Sequence, residues 1–313
     1  MARQRKRKGD PINGWLNLFK PVDITSTQAV AILKRKYNAQ KVGHGGTLDP
    51  LADGILPIAF GEATKTVQWA MDARKEYVFT IRWGVSTESQ DAEGEVTATS
   101  DARPTREQVE ALLADYVGTI EQVPPKFSAI KVDGQRAYDL AREGESFELT
   151  SREVDVFEAS VIGMPDEDHT VIHVTSGKGF YVRAMARDLA FDLGCEGHIS
   201  QLRRTRVGKF GAPAAIPLSR IEETEDTETL LTFLQPVHAM LENVPEIEIT
   251  REEAASLRHG RSIVLLPYII EQWKAEASGD PDDRAAIAVC GGDAVALGDI
   301  RAGQFEPSRV FVR

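Results

Sequence analysis

The sequence GHGGTLDPLADG, residues 43–54, is the most informative stretch of this 313-residue chain. It places one carboxylate, Asp49, on a glycine-punctuated loop directly before the apolar segment 55–60. Glycines allow positive φ and close approach of the backbone to a ligand, whereas Pro50 restricts the residue before it. The stretch, called here the Asp49 loop, therefore predicts a loop that aims a carboxylate. The alternative is an ordinary turn in which Asp49 caps the next element.

The segments around this loop show strand and helix patterns in an irregular order. Thr25 with Gln28, and later Thr105 with Gln108, form capping boxes that open helices. The predicted strands are 15–19, 55–60, 77–83, 119–123, 127–132, 152–162 and 171–176, and the other predicted helices are 64–71, 136–143 and 182–193. Because strands do not alternate strictly with helices, the pattern predicts an α+β fold with a mixed sheet, not a doubly wound parallel sheet.

Composition divides the chain into parts. Residues 1–13 form a basic tail, 14–220 the main body, 221–244 an acidic helical linker, and 245–313 a small β-rich unit with a hairpin signal at 291–293. Within the body, the polar stretch from Ser86 to Gly94 has no periodicity and predicts a long loop of the kind that covers a site.

The overall composition is that of a cytoplasmic globular protein, with 42% hydrophobic and 27% charged residues. No apolar run reaches membrane-spanning length, and the basic N-terminus lacks the apolar segment of a secretory signal. The two cysteines, Cys195 and Cys290, lie far apart and give neither a disulfide framework nor a zinc spacing. We therefore expect no membrane role and two reduced cysteines.

Charge is distributed unevenly along a chain whose formal net charge is −11. Five of the first eight residues are Lys or Arg, and residues 178–209 hold seven Lys and Arg against three Asp and Glu. Much of the acidic excess lies in residues 222–253. The pattern predicts a basic groove on an acidic body, with a solvated basic helix face as the alternative.

Several further motifs accompany the Asp49 loop in a fixed order. They are Leu18-Phe19-Lys20-Pro21, Lys75-Glu76-Tyr77, residues 124–131 (PPKFSAIK), residues 176–183 (SGKGFYVR) and residues 202–205 (LRRT). With the Asp49 loop, their order and spacing over residues 14–210 resemble the TruB family of tRNA pseudouridine synthases. Residues 245–313 resemble a small PUA-type RNA-binding domain. The resemblance implies a pseudouridine synthase catalytic domain with a largely antiparallel sheet, followed by a PUA-like domain.

The resemblance also implies roles for individual residues. Asp49 matches the catalytic aspartate and would act as nucleophile, Tyr77 matches the active-site tyrosine, and Arg183 matches the arginine that pairs with the aspartate. The uracil pocket would be lined by Tyr181 and Leu202. His44 matches the family's histidine near the flipped base.

Three positions depart from the family pattern. Gly45 and Phe180 each stand where the family often has Thr, and Asp53 stands where small or hydroxylated residues are common. None is assigned to the chemistry. Asp53 nevertheless adds a negative charge near Asp49.

The implied reaction detaches uracil from its ribose, rotates it and rejoins it through carbon, so it requires no cofactor and no metal. A carboxylate suits this chemistry because its ordinary pKa of about 3.9 leaves it ionised at neutral pH. Arg183 would keep Asp49 ionised and oriented. Whether Asp49 attacks the uracil ring or the ribose carbon stays open.

The implied partner is transfer RNA, modified at the T-loop uridine. We expect no obligate protein partner and a monomeric protein. Phosphate contacts, with affinity that falls steeply with salt, are predicted for Lys20, Lys131, Arg203, Arg204 and Arg206.

The same residues leave two other classes of function open. Asp49 and Asp53 could be the acid and base of a glycosidase, or could join His44 in a metal site, but glycosidase carboxylates normally come from different elements and the spacing matches no recognised ligand set. A non-enzymatic RNA-binding module with a vestigial Asp49 loop is the second alternative. It is less favoured because Asp49, Tyr77 and Arg183 are all intact.

Overall fold

The structure is a computed structural model. It describes residues 9–312 except 129, 133–134, 137–139, 141–146, 148 and 278–283, and it describes residues 131, 132 and 136 by their backbone alone. The basic stretch 1–8, most of the predicted helix 136–143 and the predicted turn at Asp133-Gly134 lie outside the described residues.

The body is built on a ten-stranded mixed sheet with two small hairpins beside it. The strands are β1 (Gly14–Lys20), β2 (Val42–His44), β3 (Asp53–Phe60), β4 (Lys75–Trp83), β5 (Val85–Thr87), β6 (Val96–Thr99), β7 (Gly118–Gln122), β8 (Lys131–Val132), β9 (Gln135–Arg136), β10 (Arg152–Asp166), β11 (His169–Ser176), β12 (Gly197–Val207), β13 (Phe210–Gly211) and β14 (Ile216–Pro217). The order β14-β1-β3-β12-β4-β11-β10-β7 makes β3 and β12 neighbours, with β12 next to β4. This arrangement confirms the predicted α+β class.

Most pairs in this sheet are antiparallel, but β3 with β12 and β1 with β14 run parallel. Strand β4 alternates buried and partly exposed positions, as expected when one sheet face packs on a core and the other does not. Strand β3 is buried along almost its whole length because β1 and β12 flank it. The parallel β3–β12 contact positions the site described below.

Helices cover the buried face of the sheet. They are α1 (Ser26–Lys36), α2 (Val67–Asp72), α3 (Arg106–Asp115), α4 (Val182–Asp192), α5 (Leu218–Glu223) and α6 (Thr227–Thr232), with 3₁₀ turns at Gly61–Thr66 and Ala212–Ala214. Both predicted capping boxes, at Thr25 and Thr105, are formed. The core joins Leu33 of α1, Leu113 of α3 and Leu189 of α4 to the β4 side chains. The helices therefore stabilise the sheet mainly by burying apolar surface.

The stretch from Ser86 to Gly94 is not simply a loop. Val85–Thr87 and Val96–Thr99 pair as the hairpin β5–β6, and residues 88–95 form its tip. The tip folds back onto the body, since the Ile199 N–H donates to the Gln90 carbonyl at 3.1 Å. We call residues 88–95 the hairpin tip.

The C-terminal unit is β-rich, as predicted. Its elements are β15 (Glu246–Glu248), α7 (Arg251–Arg258), β16 (Ile263–Val264), α8 (Pro267–Glu276), β17 (Ala285–Cys290), β18 (Asp293–Arg301) and β19 (Gln304–Val310). The five strands form one sheet with its own core, and the predicted hairpin at Gly291 joins β17 to β18. The unit contacts the body: Lys65 Nζ donates to the Val310 carbonyl at 2.7 Å, and the Val312 N–H to Glu62 Oε2 at 2.7 Å.

The acidic linker is helical only in part, because α5 and α6 are short and α6 ends at Thr232. The following segment is held against the body, where the Trp15 indole N–H donates to the Val237 carbonyl at 3.0 Å. Among the described residues, no helix is long and apolar enough to cross a membrane.

Candidate active site

Three adjacent strands bring the predicted site residues together. On β12, Arg203 pairs with Asp53 of β3 and Arg204 pairs with Gly54 of β3. On the other side of β12, Arg204 pairs with Tyr77 of β4. One strand therefore separates Tyr77 from the end of the Asp49 loop.

Arg204 forms the floor of the Asp49 loop. Its side chain is buried and donates to the carbonyls of Gly46 at 3.2 Å, Thr47 at 3.1 Å and Ile55 at 2.7 Å. A Cβ at Gly54, whose φ is +107°, would lie 2.2 Å from the Arg204 carbonyl oxygen, so this close approach requires glycine. The burial of Arg204 does not agree with the predicted phosphate contact, because its guanidinium already binds the loop carbonyls.

Lys20 contacts the same loop from another side, where its Nζ lies 3.5 Å from the Pro50 carbonyl. It is fully buried, and its ammonium donates to the Pro21 carbonyl at 2.6 Å and the Ile24 carbonyl at 2.8 Å. Burial lowers the pKa of Lys20 to about 8, although Asp53 and then Asp49 act in the opposite direction. Lys20 is thus positioned as a scaffold residue, which does not agree with the predicted contact to phosphate.

The Asp49 carboxylate forms the predicted ion pair. Arg183 Nε lies 3.0 Å from Asp49 Oδ2, and the two side chains are 6% and 32% exposed. The arginine is buried while the carboxylate still reaches solvent. This arrangement leaves Asp49 open to a ligand and fixes its orientation from behind.

Arg183 also joins two other segments to the Asp49 loop. Its Nη1 donates to the Ser89 carbonyl at 3.0 Å, and its Nη2 donates to the Phe127 carbonyl at 2.9 Å. A second carboxylate, Asp91 Oδ2, lies 3.6 Å from Nη1. A single guanidinium therefore connects α4 to the Asp49 loop, the hairpin tip and the segment before β8.

Sequence reasoning missed Asp91. Its side chain is buried, its carbonyl accepts from Thr87 Oγ1 at 2.6 Å, and its Oδ1 accepts from the Glu93 N–H at 3.1 Å. Burial and the adjacent Asp91 raise the pKa of Glu93. The sequence around Asp91 is polar and has no periodicity. This pattern predicts a loop that covers a site, but it does not single out Asp91.

Aromatic and apolar side chains lie beside the ion pair. The buried Tyr77 and Phe180 rings are 6.4 Å apart, and burial raises the pKa of the Tyr77 phenol. Tyr181 precedes α4, and its N–H donates to Gln122 Oε1 at 2.8 Å. Burial raises the Tyr181 pKa, with the Asp49 charge contributing to both tyrosine shifts. Leu202 is buried on β12.

His44 is the last residue of β2 and the second residue of the Asp49 loop. Its Nδ1 is buried without a hydrogen-bond partner among the described residues. Burial, and then the charge of Arg204, lower the pKa of His44, so the ring is neutral at neutral pH. At the next position, a Cβ on Gly45 would lie 2.5 Å from the Ala70 Cβ, which explains why this chain has glycine where the family often has Thr.

Two of the other predicted phosphate ligands, Arg203 and Arg206, lie at the surface. Arg203 binds Asp53 through two contacts, Nε–Oδ1 at 2.7 Å and Nη2–Oδ2 at 2.6 Å. Arg206 Nε lies 3.0 Å from Glu76 Oε1. The Lys131 side chain lies outside the described residues. Asp53 therefore pairs with Arg203, whereas Asp49 pairs with a different arginine from another element.

Comparison with known proteins gives two domain matches. The TruB family pseudouridylate synthase N-terminal domain matches residues 34–182, and the tRNA pseudouridylate synthase B C-terminal domain matches residues 183–242. A Caulobacter vibrioides protein named tRNA pseudouridine synthase B is 54% identical over 98% of this chain and 98% of its own length. A Rhizobium johnstonii protein of the same name is 46% identical over 99% of this chain and 100% of its own.

Among solved structures, the chain is similar to one described as a Cbf5-Nop10-Gar1 complex, with a TM-score of 0.67 and 24% identity over 96% of this chain and 84% of that one. It is also similar to an archaeal box H/ACA sRNP Nop10-Cbf5 complex, with a TM-score of 0.66 and 22% identity over 99% of this chain and 93% of that one. At such identities the likeness shows the fold alone. The domain matches, and relatives that are 46% and 54% identical over nearly their whole length, confirm the resemblance seen in the motifs: the chain belongs to the TruB family of pseudouridylate synthases, which are isomerases.

Proposed function

We propose that this enzyme isomerises the T-loop uridine of transfer RNA to pseudouridine, with Asp49 as the nucleophile. The observation that carries the proposal is the ion pair between a partly exposed Asp49 and a buried Arg183. Arg183 Nε lies 3.0 Å from Oδ2, and the Asp49 side chain is still 32% exposed. The arginine thus holds the carboxylate from the buried side, while its exposed side can meet an electron-poor carbon.

In the reaction, the bond between the ribose carbon and the uracil nitrogen breaks, the base rotates, and a bond to a ring carbon replaces it. The proton on that ring carbon then leaves, and the ring nitrogen released from the ribose gains a proton, so that substrate and product have the same atoms. A carboxylate nucleophile needs no base to activate it, and Arg183 orients that of Asp49. The geometry is compatible with attack on either the uracil ring or the ribose carbon.

We assign the base pocket to Tyr77, Tyr181 and Leu202. Extruding a base from a folded RNA loop costs a few kcal/mol, and aromatic stacking returns about 1–3 kcal/mol. Burial raises the pKa of Tyr77, so its phenol is protonated when the base arrives. This supports stacking and hydrogen-bond donation by Tyr77 more than removal of a proton.

For the RNA backbone we retain Arg203, Arg206 and Lys131 as phosphate ligands. Lys20 and Arg204 instead support the Asp49 loop from inside. The PUA-like residues 245–313 would add affinity through the exposed Arg258 and Arg261. Nothing in this scheme requires a second protein, so we expect a monomer that acts on transfer RNA in the cytoplasm.

The test is pseudouridine formation on unmodified transfer RNA, without added metal or cofactor. Wild type and Asp49→Asn are compared with a control, Asp72→Asn, in which a more exposed carboxylate pairs with Lys178 at 2.9 Å. We expect product from wild type and Asp72→Asn, and none from Asp49→Asn despite retained RNA binding. RNA binding without product from any of the three would instead support a binding module, and product from Asp49→Asn would remove Asp49 from the nucleophile role.

A further inference from the structure

Asp53 and Arg203 form a two-contact ion pair at the C-terminal end of the Asp49 loop. The aspartate begins β3 and the arginine faces it across the parallel β3–β12 contact, with N–O distances of 2.7 and 2.6 Å. Such a fork is the geometry in which arginine binds either a carboxylate or a phosphate. The Asp53 carboxylate thus occupies an edge of Arg203 that could bind the RNA backbone.

The two partners differ in exposure. The Arg203 side chain is 54% exposed, and that of Asp53 is 16% exposed. The Arg203 guanidinium carbon also lies 5.5 Å from the centroid of the Phe19 ring, which supports the arginine from one side. A phosphate arriving from solvent can therefore reach Arg203 while Asp53 stays on the protein side.

Asp53 is also coupled to the Asp49 loop. The Ala52 N–H donates to the Asp49 carbonyl at 3.1 Å, a turn that leads directly into Asp53. The charge of Asp53 acts on the buried ammonium of Lys20. Asp53 therefore directly follows the turn that holds Asp49.

We propose that Asp53 is a specificity-determining residue that competes with RNA phosphate for Arg203. This inference rests on the proposed function, since it requires that the cleft bind RNA. An unpaired Arg203 would attract any RNA backbone, because phosphate contacts carry no sequence information. With Asp53 present, a phosphate must displace a carboxylate, and RNA that also fills the uridine pocket compensates for that displacement.

The experiment measures the affinity of two RNAs, unmodified transfer RNA and an unstructured RNA of equal length, as a function of salt. The variants are Asp53→Asn, Asp53→Ser, Arg203→Ala and the double variant Asp53→Asn/Arg203→Ala. The control is Asp168→Asn, which removes a carboxylate from an Arg103 pair at the other end of β4. Thermal unfolding checks that each variant is folded.

We expect Asp53→Asn and Asp53→Ser to bind the unstructured RNA about fivefold more tightly at low salt, with a salt slope steeper by about one unit. Transfer RNA should gain less, so that discrimination between the two falls. The gain should vanish when Arg203 is alanine, and Asp168→Asn should show none.

Unchanged or weaker binding of unstructured RNA by both folded Asp53 variants would overturn the inference. A gain that persists in the Arg203→Ala background would overturn it as well. Pseudouridine formation by wild type is measured on the same transfer RNA. Product from wild type without the Asp53 effect refutes only this inference, whereas absence of product from wild type refutes the proposed function.

Discussion

Replacing Arg183 with lysine tests whether the active site depends on the shape of the guanidinium or only on its charge. Arg183 uses three different nitrogens, one each for Asp49, the Ser89 carbonyl and the Phe127 carbonyl. A lysine ammonium is a single point on a flexible stem and cannot reach all three directions. Arg183→Lys keeps the positive charge but disconnects at least one of the three segments.

The expected magnitude follows from the contacts. Hydrogen bonds that involve a charged group contribute about 1.5–3 kcal/mol each, and the ammonium retains part of the ion pairing, so the free energy of unfolding should fall by about 2–4 kcal/mol. The catalytic effect should be separate from stability. A small displacement of Asp49 from its attack position should lower kcat about 100-fold.

Urea unfolding and single-turnover pseudouridine formation measure the two effects. Arg187→Lys is the matched control, because Arg187 lies one turn further along α4 and its side chain is 31% exposed, with contacts to Asp188 and the Val123 carbonyl. That variant should change stability by about 0–1 kcal/mol and leave kcat close to wild type. If Arg183→Lys behaves like Arg187→Lys in both assays, the active site does not depend on the three contacts of the Arg183 guanidinium, and the argument is wrong.

Two further predictions concern the scaffold. Gly45→Thr should destabilise the protein by about 1–3 kcal/mol in thermal or urea unfolding, because the new Cβ would lie 2.5 Å from the Ala70 Cβ. The control Gly43→Ala should be close to neutral, since a Cβ there meets nothing nearer than 4.0 Å. Unchanged stability of Gly45→Thr would contradict this explanation. Burial lowers the pKa of Lys75 from 10.5 to about 8, so between these values the unfolded state binds more protons and stability rises with pH. Wild type should therefore gain stability relative to Lys75→Met as the pH rises from about 8 to 10, and a constant difference in unfolding free energy would refute the shift.

Features set by short stretches of sequence were predictable. The capping boxes at Thr25 and Thr105 depend on residues three positions apart, and both are formed. The alternating pattern after Tyr77 correctly predicted β4, because period-two burial is a property of the strand itself. The pairing of Asp49 with Arg183 came from the family resemblance, since no local pattern links residues so far apart.

Features that depend on long-range packing were not predictable. Asp91 contacts Arg183 only because the hairpin tip folds back over β12, and no motif in the tip indicates this. The burial of Lys20 was missed for a related reason. Sequence shows that a residue carries charge but not whether backbone carbonyls already bind it, and Lys20 is surrounded by the carbonyls of its own turn.

The basic segment 178–209 shows how this limit affects the functional argument. Strand alternation sends neighbouring side chains of β12 in different directions, so Arg204 binds the loop carbonyls inside while Arg203 faces solvent. All seven Lys and Arg side chains in the segment have partners: Asp72 for Lys178, Asp49 for Arg183, Asp188 for Arg187, Asp53 for Arg203, loop carbonyls for Arg204, Glu76 for Arg206 and the Leu241 carbonyl for Lys209.

If RNA binds this surface as proposed, each arginine or lysine that is paired with a carboxylate would exchange that carboxylate for a phosphate, and would not capture phosphate as a free cation. Each exchange releases fewer counterions in net terms, because the protein's own carboxylate must attract cations once its arginine has left. The salt dependence of RNA affinity should consequently be shallower than a count of basic residues predicts. It should steepen when a paired carboxylate such as Asp53 is removed, which makes the acidic partners as important for selectivity as the arginines they hold.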